Sequence, residues 1–175
     1  ASDVYKRQPS GLFLIDKKKA NARPEKISPL RVFNLVQFND SILWAGTRKG
    51  SMFQINTRTL KVTSLPILPH TDLYVTYIYP DSHQRIWIGT DNNGLYVSDR
   101  NGSIIASYSK EQLGSNAIKG IIEDEMNNIW VGTGSGLCCI NPQTENIDRY
   151  TTADGLPINQ FNYSSACKKP DGELY

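Results

Sequence analysis

The sequence predicts an all-β fold, a β-propeller segment with about three full four-stranded blades and partial blades at both ends. The first observation is a phrase that occurs three times, as "LWAGT", "IWIGT" and "IWVGT". Its tryptophans, Trp44, Trp87 and Trp130, recur every 43 residues. A period of about 40 to 45 residues is typical of propeller blades and of some helical repeats. The second observation, the local pattern of the phrase, decides between them.

That pattern favours strands. In "IWIGT", Ile86 and Ile88 lie on one face of a strand, and Trp87 and Gly89 lie on the other, because side chains alternate along a strand. Both faces are apolar or small, which is typical of a strand covered on both sides. No segment of ten or more residues has apolar residues at helical spacing, and "YSKEQLGSN" is long enough for one helical turn at most.

Each repeat divides into four short strands. In the third repeat these are "AIKGIIED", "IWVGT", "LCCIN" and "IDRYTT", with "EMNN", "GSG" and "PQTEN" between them. Short apolar runs separated by Asn, Asp and Gly are typical of hairpins. We therefore expect the end of a preceding blade at 9–29, full blades at 30–72, 73–115 and 116–158, and the start of a further blade at 159–175.

The two ends of the chain suggest a fragment. The first residues, "ASDVYKRQ", fit no repeat and resemble a translated adapter sequence, so we predict that 1–8 is a non-native leader outside the fold. The alternative is an ordinary strand of the earlier blade. Because the chain stops within a predicted strand, we expect a longer parent protein and open apolar faces on the end blades.

Composition and charge exclude several function classes. Charged residues make up 21% of the chain and the net charge is +2, without a clustered basic stripe, so we expect no nucleic-acid partner. No run of about 18 apolar residues predicts a membrane span, and we expect no membrane insertion in this segment.

The cysteines and histidines predict neither a metal site nor a catalytic centre. Cys138 and Cys139 are adjacent in a predicted strand and face opposite sides, so buried free thiols are expected, with a bridge from either one to Cys167 as the alternative. His70 and His83 are predicted at opposite ends of the blade. No serine–histidine–acid set, paired-carboxylate motif or metal-ligand spacing is present, so we expect no catalytic residues, no metal and no cofactor.

The repeated phrase is interpreted as scaffold. Wide tryptophan rings pack on the next blade, and the glycines leave room for that packing. The threonines before the turn satisfy local backbone groups. These structural positions are Trp44, Gly46, Thr47, Trp87, Gly89, Thr90, Trp130, Gly132 and Thr133.

Function is expected on the loops. In a four-stranded blade, the turn between the second and third strands and the connection to the next blade lie at the same end of the propeller. Polar side chains there can make paired hydrogen bonds to sugar hydroxyls or carboxylates, although Asn and Asp are also ordinary turn formers. The candidate ligand-binding residues are Arg48, Lys49, Asp91, Asn92, Asn93, Asn116, Asn159 and Gln160, with His70 on the same rim.

The repeats resemble two-component regulator propeller repeats. The resemblance is carried by the pattern D-x5-W-[VIA]-G-T followed by Gly-Leu, at 81–95 and 124–137, and by "YTTADGLPINQFN" at 150–162. It covers about residues 11–175. The first repeat departs from the pattern, because "RKGSMF" replaces the usual Gly-Leu. The resemblance implies the periplasmic sensor region of a membrane-bound hybrid histidine kinase, in which two propellers precede a β-sandwich, one membrane helix and a cytoplasmic kinase.

The resemblance also implies partners and a mechanism. Many such sensors respond to oligosaccharides and act as homodimers, so the expected partners are an oligosaccharide, the remaining blades and a second copy of the parent. This segment would signal to the parent's phosphorelay by conformational change, without catalysis of its own. One alternative is a propeller enzyme similar to lyases that open cyclic antibiotics, which needs a histidine and an acid on the axial face. The other is an interaction scaffold, although the Gly-His and Trp-Asp pairs of such repeats are missing.

Overall fold

The computed structural model describes residues 3–8, 11–16, 21, 23–47, 50–65, 73–163, 165–169 and 171–174. Over these residues the chain forms antiparallel sheets, one of three strands and three of four strands, which confirms the predicted all-β propeller segment. In the described part of the chain, no helix has the length and apolar character needed to cross a bilayer.

The strands follow one another in simple hairpin order within each sheet. The first sheet contains β1 (Asp3–Gln8), β2 (Gly11–Asp16) and β3 (Glu25–Ser28). The second contains β4 (Val32–Asn39), β5 (Ile42–Thr47), β6 (Met52–Asn56) and β7 (Val62–Leu65). The third contains β8 (Val75–Pro80), β9 (Ile86–Thr90), β10 (Leu95–Ser98) and β11 (Ile104–Tyr108). The fourth contains β12 (Ile118–Glu123), β13 (Ile129–Thr133), β14 (Leu137–Ile140) and β15 (Ile147–Tyr150).

Two short helical turns follow the third and fourth sheets. The turn α1 (Lys110–Leu113) leads from the third sheet to the fourth, and a 3₁₀ turn at Thr152–Asp154 follows β15. The four-stranded sheets fall within the ranges 30–72, 73–115 and 116–158 that the repeat period predicts.

Asp3–Gln8, part of the segment that the sequence analysis set apart from the repeats, forms a strand in the structure. The structure pairs Asp3–Gln8 with β2 along its whole length, from the Asp3–Asp16 pair to the Gln8–Gly11 pair. The physical reason is that β2 has a free edge of backbone donors and acceptors, which an adjoining extended segment satisfies. Whether these residues are a non-native leader stays a prediction.

The first strand of each four-stranded sheet has a β-bulge at the same place. In the fourth sheet, for example, Ile118 pairs with Thr133 and Gly120 pairs with Gly132, which leaves Lys119 unpaired. A bulge re-aims the side chain of the extra residue. The three bulged residues are 43 residues apart: Phe33, Thr76 and Lys119.

Neighbouring sheets pack through the repeated tryptophans. Trp44 lies in one apolar cluster with Val75, Ile78 and Ile86 of the third sheet. Trp87 lies in the next cluster with residues of the fourth sheet, including Ile118. Both indoles are buried, so each repeat contributes a wide ring to the interface with the repeat that follows.

The repeated glycines allow this close approach. A Cβ atom at Gly89 would lie 2.6 Å from Cγ2 of Ile118, and one at Gly46 would lie 2.7 Å from Cγ1 of Val75. Such contacts are too short for any side chain. At Gly132 the corresponding contact is longer, 3.3 Å to Cγ of Phe161.

The repeated threonines close the turn between the second and third strands. The Thr90 hydroxyl donates to the carbonyl of Gly94 at 2.7 Å and accepts the Asn93 N–H at 3.0 Å. The Thr133 hydroxyl donates to the carbonyl of Gly136 at 2.9 Å. A side chain that satisfies both a donor and an acceptor fixes the turn geometry beside the rim.

The third repeat ends on a partly covered face. The described residues of 161–163, 165–169 and 171–174 lie across the fourth sheet, with one isolated bridge between Lys168 and Leu174 and a bond from the Phe161 N–H to the Thr133 carbonyl. A cavity of about 420 Å³ remains between them and the sheet, and Trp130 is therefore half-buried. The cavity is lined mainly by apolar groups, among them Trp130, Gly132, Leu137, Phe161, Ala166 and Leu174.

All three cysteines are free, and they differ in their surroundings. Cys138 is buried, Cys139 is half-buried and Cys167 is exposed. Burial raises the pKa of the Cys138 thiol to about 11, against a smaller opposing effect of Arg149. Burial also raises the pKa of Cys139. The structure contains none of the bridges to Cys167 that the sequence left open.

These surroundings predict the order of thiol alkylation. With a pKa of about 11, only about one Cys138 thiol in a thousand is ionised at pH 8. We expect iodoacetamide to label Cys167 first and Cys138 last in the folded protein, and all three equally in denaturant. Peptide mass spectrometry after timed labelling measures the order. Equal native rates at Cys138 and Cys167 would contradict the buried position of Cys138.

Candidate functional site

The candidate site lies where the turns between second and third strands meet the connections between blades. The N–H of Asp91 donates to the carbonyl of Tyr74 at 3.0 Å, just before β8. The N–H of Gly94 donates to the carbonyl of Asn116 at 2.9 Å, just before β12. The turn that follows β9 is thus bonded to the entry of its own blade on one side and of the next blade on the other.

Three side chains from successive repeats converge at this turn. The Nζ atom of Lys119 lies 3.4 Å from Oδ1 of Asp91. The same Nζ lies 3.7 Å from the ring centroid of Tyr163, and the Tyr163 hydroxyl donates to Oδ1 of Asp91. We call Asp91, Lys119 and Tyr163 the Asp91 cluster. It joins an ion pair, a cation–π contact and a charge-assisted hydrogen bond within a few ångströms.

Burial differs sharply among the members of the cluster. The Lys119 side chain is 11% exposed, whereas the Asp91 side chain is 42% exposed. Tyr163 is 47% exposed. The cation is therefore covered, while the carboxylate and the phenol ring face solvent and can be reached by a ligand.

Lys119 owes its direction to the bulge in β12. At the same position of the preceding repeat, the Thr76 hydroxyl donates to the carbonyl of Ile118 at 2.7 Å and links two blades. Lys119 instead reaches across to Asp91 of the preceding repeat. A covered ammonium is costly to desolvate unless it is paired, and Asp91 and the Tyr163 ring supply that compensation.

The other predicted rim residues have different surroundings. Asn92 is exposed, and Asn93 and Asn116 are half-buried beside the cluster. The Asn159 carboxamide accepts the N–H of Thr152 at 2.7 Å and so holds the 3₁₀ turn after β15. Gln160 is exposed. Arg48, Lys49 and His70 lie outside the described residues.

Sequence reasoning found Asp91 but missed Lys119 and Tyr163. Lys119 lies inside a predicted strand, where a single lysine carries no special signal. The available signal was the 43-residue comparison of Phe33, Thr76 and Lys119, in which only the third position is charged. For Tyr163 no such signal exists, because the tyrosine contacts a residue 72 positions earlier in the chain.

A serine and a histidine meet at the opposite end of the third sheet. The Ser82 hydroxyl lies 3.1 Å from Nδ1 of His83 and donates to Oε1 of Glu123 at 2.7 Å. The acid thus contacts the serine and leaves the imidazole without an orienting carboxylate, which is not the arrangement that activates a serine. The backbone N–H of Ser82 also bonds to Oε2 of Glu123 at 2.8 Å, so the contact ties two blades together.

Metal binding has no support in the described part of the chain. No group of three or more His, Cys, Asp or Glu side chains with suitable spacing occurs there. The Asp91 cluster itself offers hydrogen bonding, charge and an aromatic ring.

Residues 70–92 and 112–135 match the family model "Two component regulator propeller". The chain is 25% identical to a curated protein, Histidine kinase P4 of Formosa agariphila, over 215 aligned residues. That alignment includes 90% of this chain and 16% of the relative, so the chain spans only a small part of that protein's length.

Solved structures show the same fold. One is the extracellular domain attributed to the hybrid two component system BT3049 of B. thetaiotaomicron, with a TM-score of 0.79, 22% identity, and coverage of 99% of this chain and 25% of that chain. Another is streptogramin B lyase, with a TM-score of 0.71, 18% identity, and coverage of 99% of this chain and 57% of that chain. At such identities these similarities concern the fold alone.

Proposed function

This chain carries two-component regulator propeller repeats, and from this premise we propose that it is a ligand-sensing segment of a membrane-bound hybrid two-component sensor kinase. The ligand we propose is an oligosaccharide, bound in the periplasm. The observation that carries the proposal is the convergence of Asp91, Lys119 and Tyr163 from three successive repeats on one rim. A few convergent polar groups beside an exposed aromatic ring are typical of binding sites.

In this proposal the segment signals by a change in blade geometry. A ligand at the rim contacts residues that belong to different blades, and its binding free energy favours the arrangement in which those residues fit it. The propeller's remaining blades and a second copy of the parent protein are the proposed partners that transmit the change. No covalent step is required in this segment.

The second candidate is an enzyme, which the similarity to streptogramin B lyase brings into consideration. A lyase of this kind needs a histidine and an acid together at the axial end of the propeller. Among the described residues, the Asp91 cluster supplies an acid, a lysine and a tyrosine, and His83 is at the opposite end, while His70, predicted on this rim, lies outside them. The geometry of the described residues therefore supports binding better than catalysis.

The test combines binding with recovery of the ligand. The purified chain is applied to an array of defined oligosaccharides, and each retained sugar is then incubated with the chain and analysed by mass spectrometry. We expect retention of a structurally related subset, with every retained sugar recovered unchanged. Retention of no oligosaccharide would contradict oligosaccharide sensing, and cleavage or elimination of a retained sugar would favour the enzyme.

A further inference from the structure

We propose that the Asp91 cluster is the subsite for one uncharged pyranose ring of the ligand. In this subsite Asp91 accepts hydrogen bonds from sugar hydroxyls, and Tyr163 offers the sugar the ring face opposite Lys119. The inference rests on the proposed function and deepens it, because it names the residues and the sugar class.

Blade packing does not require a lysine at position 119. The preceding repeat fills the same bulge with Thr76, whose hydroxyl bonds directly to the next blade. A lysine there makes a cation–π contact with Tyr163 of the following repeat in place of that hydrogen bond, and its ammonium must be desolvated to 11% side-chain exposure. Because packing does not require this lysine and its desolvation is costly, we account for Lys119 by its effect on Asp91, whose carboxylate it holds in place.

The charge of the cluster bears on which class of sugar it can bind. Lys119 and Asp91 neutralise each other, and the pair has no net charge to offer an acidic or a basic ligand. A hexuronate would bring its carboxylate beside that of Asp91, which is more exposed than the ammonium. An uncharged sugar avoids this repulsion, so the cluster favours neutral rings.

One oxygen of the Asp91 carboxylate, Oδ2, is open to a ligand. Both contacts of the Asp91 carboxylate, from Lys119 and from Tyr163, go to Oδ1. Among the residues that the structure describes, none donates a hydrogen bond to Oδ2. With the side chain 42% exposed, Oδ2 can accept hydroxyl hydrogens from a sugar, and the amides of Asn92 and Asn93 lie next to it in the chain.

Two exposed tyrosines belong to residues that bond to Asp91. Tyr163 and Tyr74 are each 47% exposed. The Tyr163 hydroxyl donates to the Asp91 carboxylate, and the backbone carbonyl of Tyr74 accepts the Asp91 N–H. Aromatic rings with one polar end suit a surface that is part apolar and part wet, as the face and the edge of a pyranose are.

The experiment uses the whole chain and two sets of probes of matched length. One set contains neutral gluco-, manno-, galacto- and xylo-oligosaccharides, and the other contains oligogalacturonates. Affinities are measured by titration calorimetry for the unchanged chain, Asp91→Asn, Tyr163→Ala and the control Asp148→Asn. Asp148 is exposed on β15, away from the rim, and undergoes the same chemical change.

We expect a neutral oligosaccharide to bind, with about tenfold or greater loss of affinity in Asp91→Asn and in Tyr163→Ala. The control Asp148→Asn should bind as the unchanged chain does. Thermal melting of each variant verifies folding, and Tyr163→Ala decides the matter if Asp91→Asn does not fold, because Tyr163 is exposed and outside the strands.

The failures of the two proposals differ. Binding of a neutral sugar with equal affinity in the unchanged chain and both cluster variants overturns the subsite and leaves oligosaccharide sensing intact. Preference for oligogalacturonates overturns the neutral sugar class. Binding of neither probe set overturns oligosaccharide sensing for these ligands, and the subsite falls with it.

Discussion

Replacement of Trp87 with alanine is expected to lower the free energy of unfolding by about 3–5 kcal/mol. The indole is 1% exposed and lies in the cluster that joins the third and fourth sheets. Its ring stacks on Tyr108 with centroids 5.9 Å apart, and its Nε1 donates to Asp81 at 2.8 Å. Truncation removes these contacts and leaves a large cavity between two blades. Guanidinium-induced unfolding of the two proteins measures the loss.

Trp130→Ala is the matched control. Trp130 has the same kind of partners, an indole bond to Asp124 at 2.9 Å and a ring stacked on Tyr150 at 5.7 Å. It borders the cavity of about 420 Å³, however, and is only half-buried. We expect a clearly smaller loss there, because fewer packed atoms surround the ring.

One result would contradict a purely structural role for Trp87. If Trp87→Ala unfolds at the same denaturant concentration as the unchanged chain but no longer binds sugar, the indole is a ligand contact. If Trp87→Ala and Trp130→Ala lose the same free energy of unfolding, the packing of the following blade on Trp87 makes no measurable contribution to stability.

The blade architecture could be predicted because it depends on local and repeated features. Trp87 and Gly89 on one strand face, with turn residues on both sides, predict a strand covered on both sides wherever they recur. The period then supplies the number of blades. Nothing in this argument requires knowledge of distant contacts, which explains why the sheet order agrees with the prediction.

The Asp91 cluster could be predicted only in part. Asp91 follows a recognisable strand, and its position on the rim follows from blade topology. Lys119 and Tyr163 reach it only because a bulge turns one side chain and an irregular segment crosses the end of the blade. Neither event leaves a local pattern, since bulges depend on the pairing between strands.

The hydrogen-bond partner of the tryptophan indole also differs between repeats, although the 43-residue spacing is constant. Asp81 and Asp124 accept the indole N–H in two repeats, whereas the corresponding residue of the first repeat is Phe38. Among the described residues, Trp44 Nε1 has no hydrogen-bond partner. The same scaffold position therefore tolerates an aromatic neighbour in place of a carboxylate.

Asp81→Asn is expected to lower the free energy of unfolding by about 2–4 kcal/mol. The carboxylate is fully buried. Its Oδ1 accepts the N–H groups of His83 and Arg85, at 2.9 and 2.8 Å. Its Oδ2 accepts Nε of Arg85 at 2.6 Å and Nε1 of Trp87 at 2.8 Å. An amide offers one oxygen, so two of these four donors would face an NH₂ group.

Asp124→Asn separates the effect of charge from that of the turn. Asp124 makes the same bonds to its turn and to Trp130, but the residue that replaces Arg85 is Asn128. The Asn128 carboxamide can rotate to present its oxygen to a new NH₂ group, whereas a guanidinium can only donate. Partial burial opposes ionisation of Asp124, yet the bonds from Trp130 and Asn128 lower its pKa overall.

The comparison of the two variants therefore tests what the carboxylate contributes. We expect about 1 kcal/mol for Asp124→Asn and the larger loss for Asp81→Asn, measured by guanidinium unfolding at pH 7. Because Asp81 is fully buried beside Arg85, whereas Asp124 is partly exposed beside Asn128, an equal loss would mean that neither burial nor this partner changes the cost. If Asp81→Asn leaves the free energy of unfolding unchanged, Arg85 forms hydrogen bonds with solvent instead, through the quarter of its side chain that is already exposed.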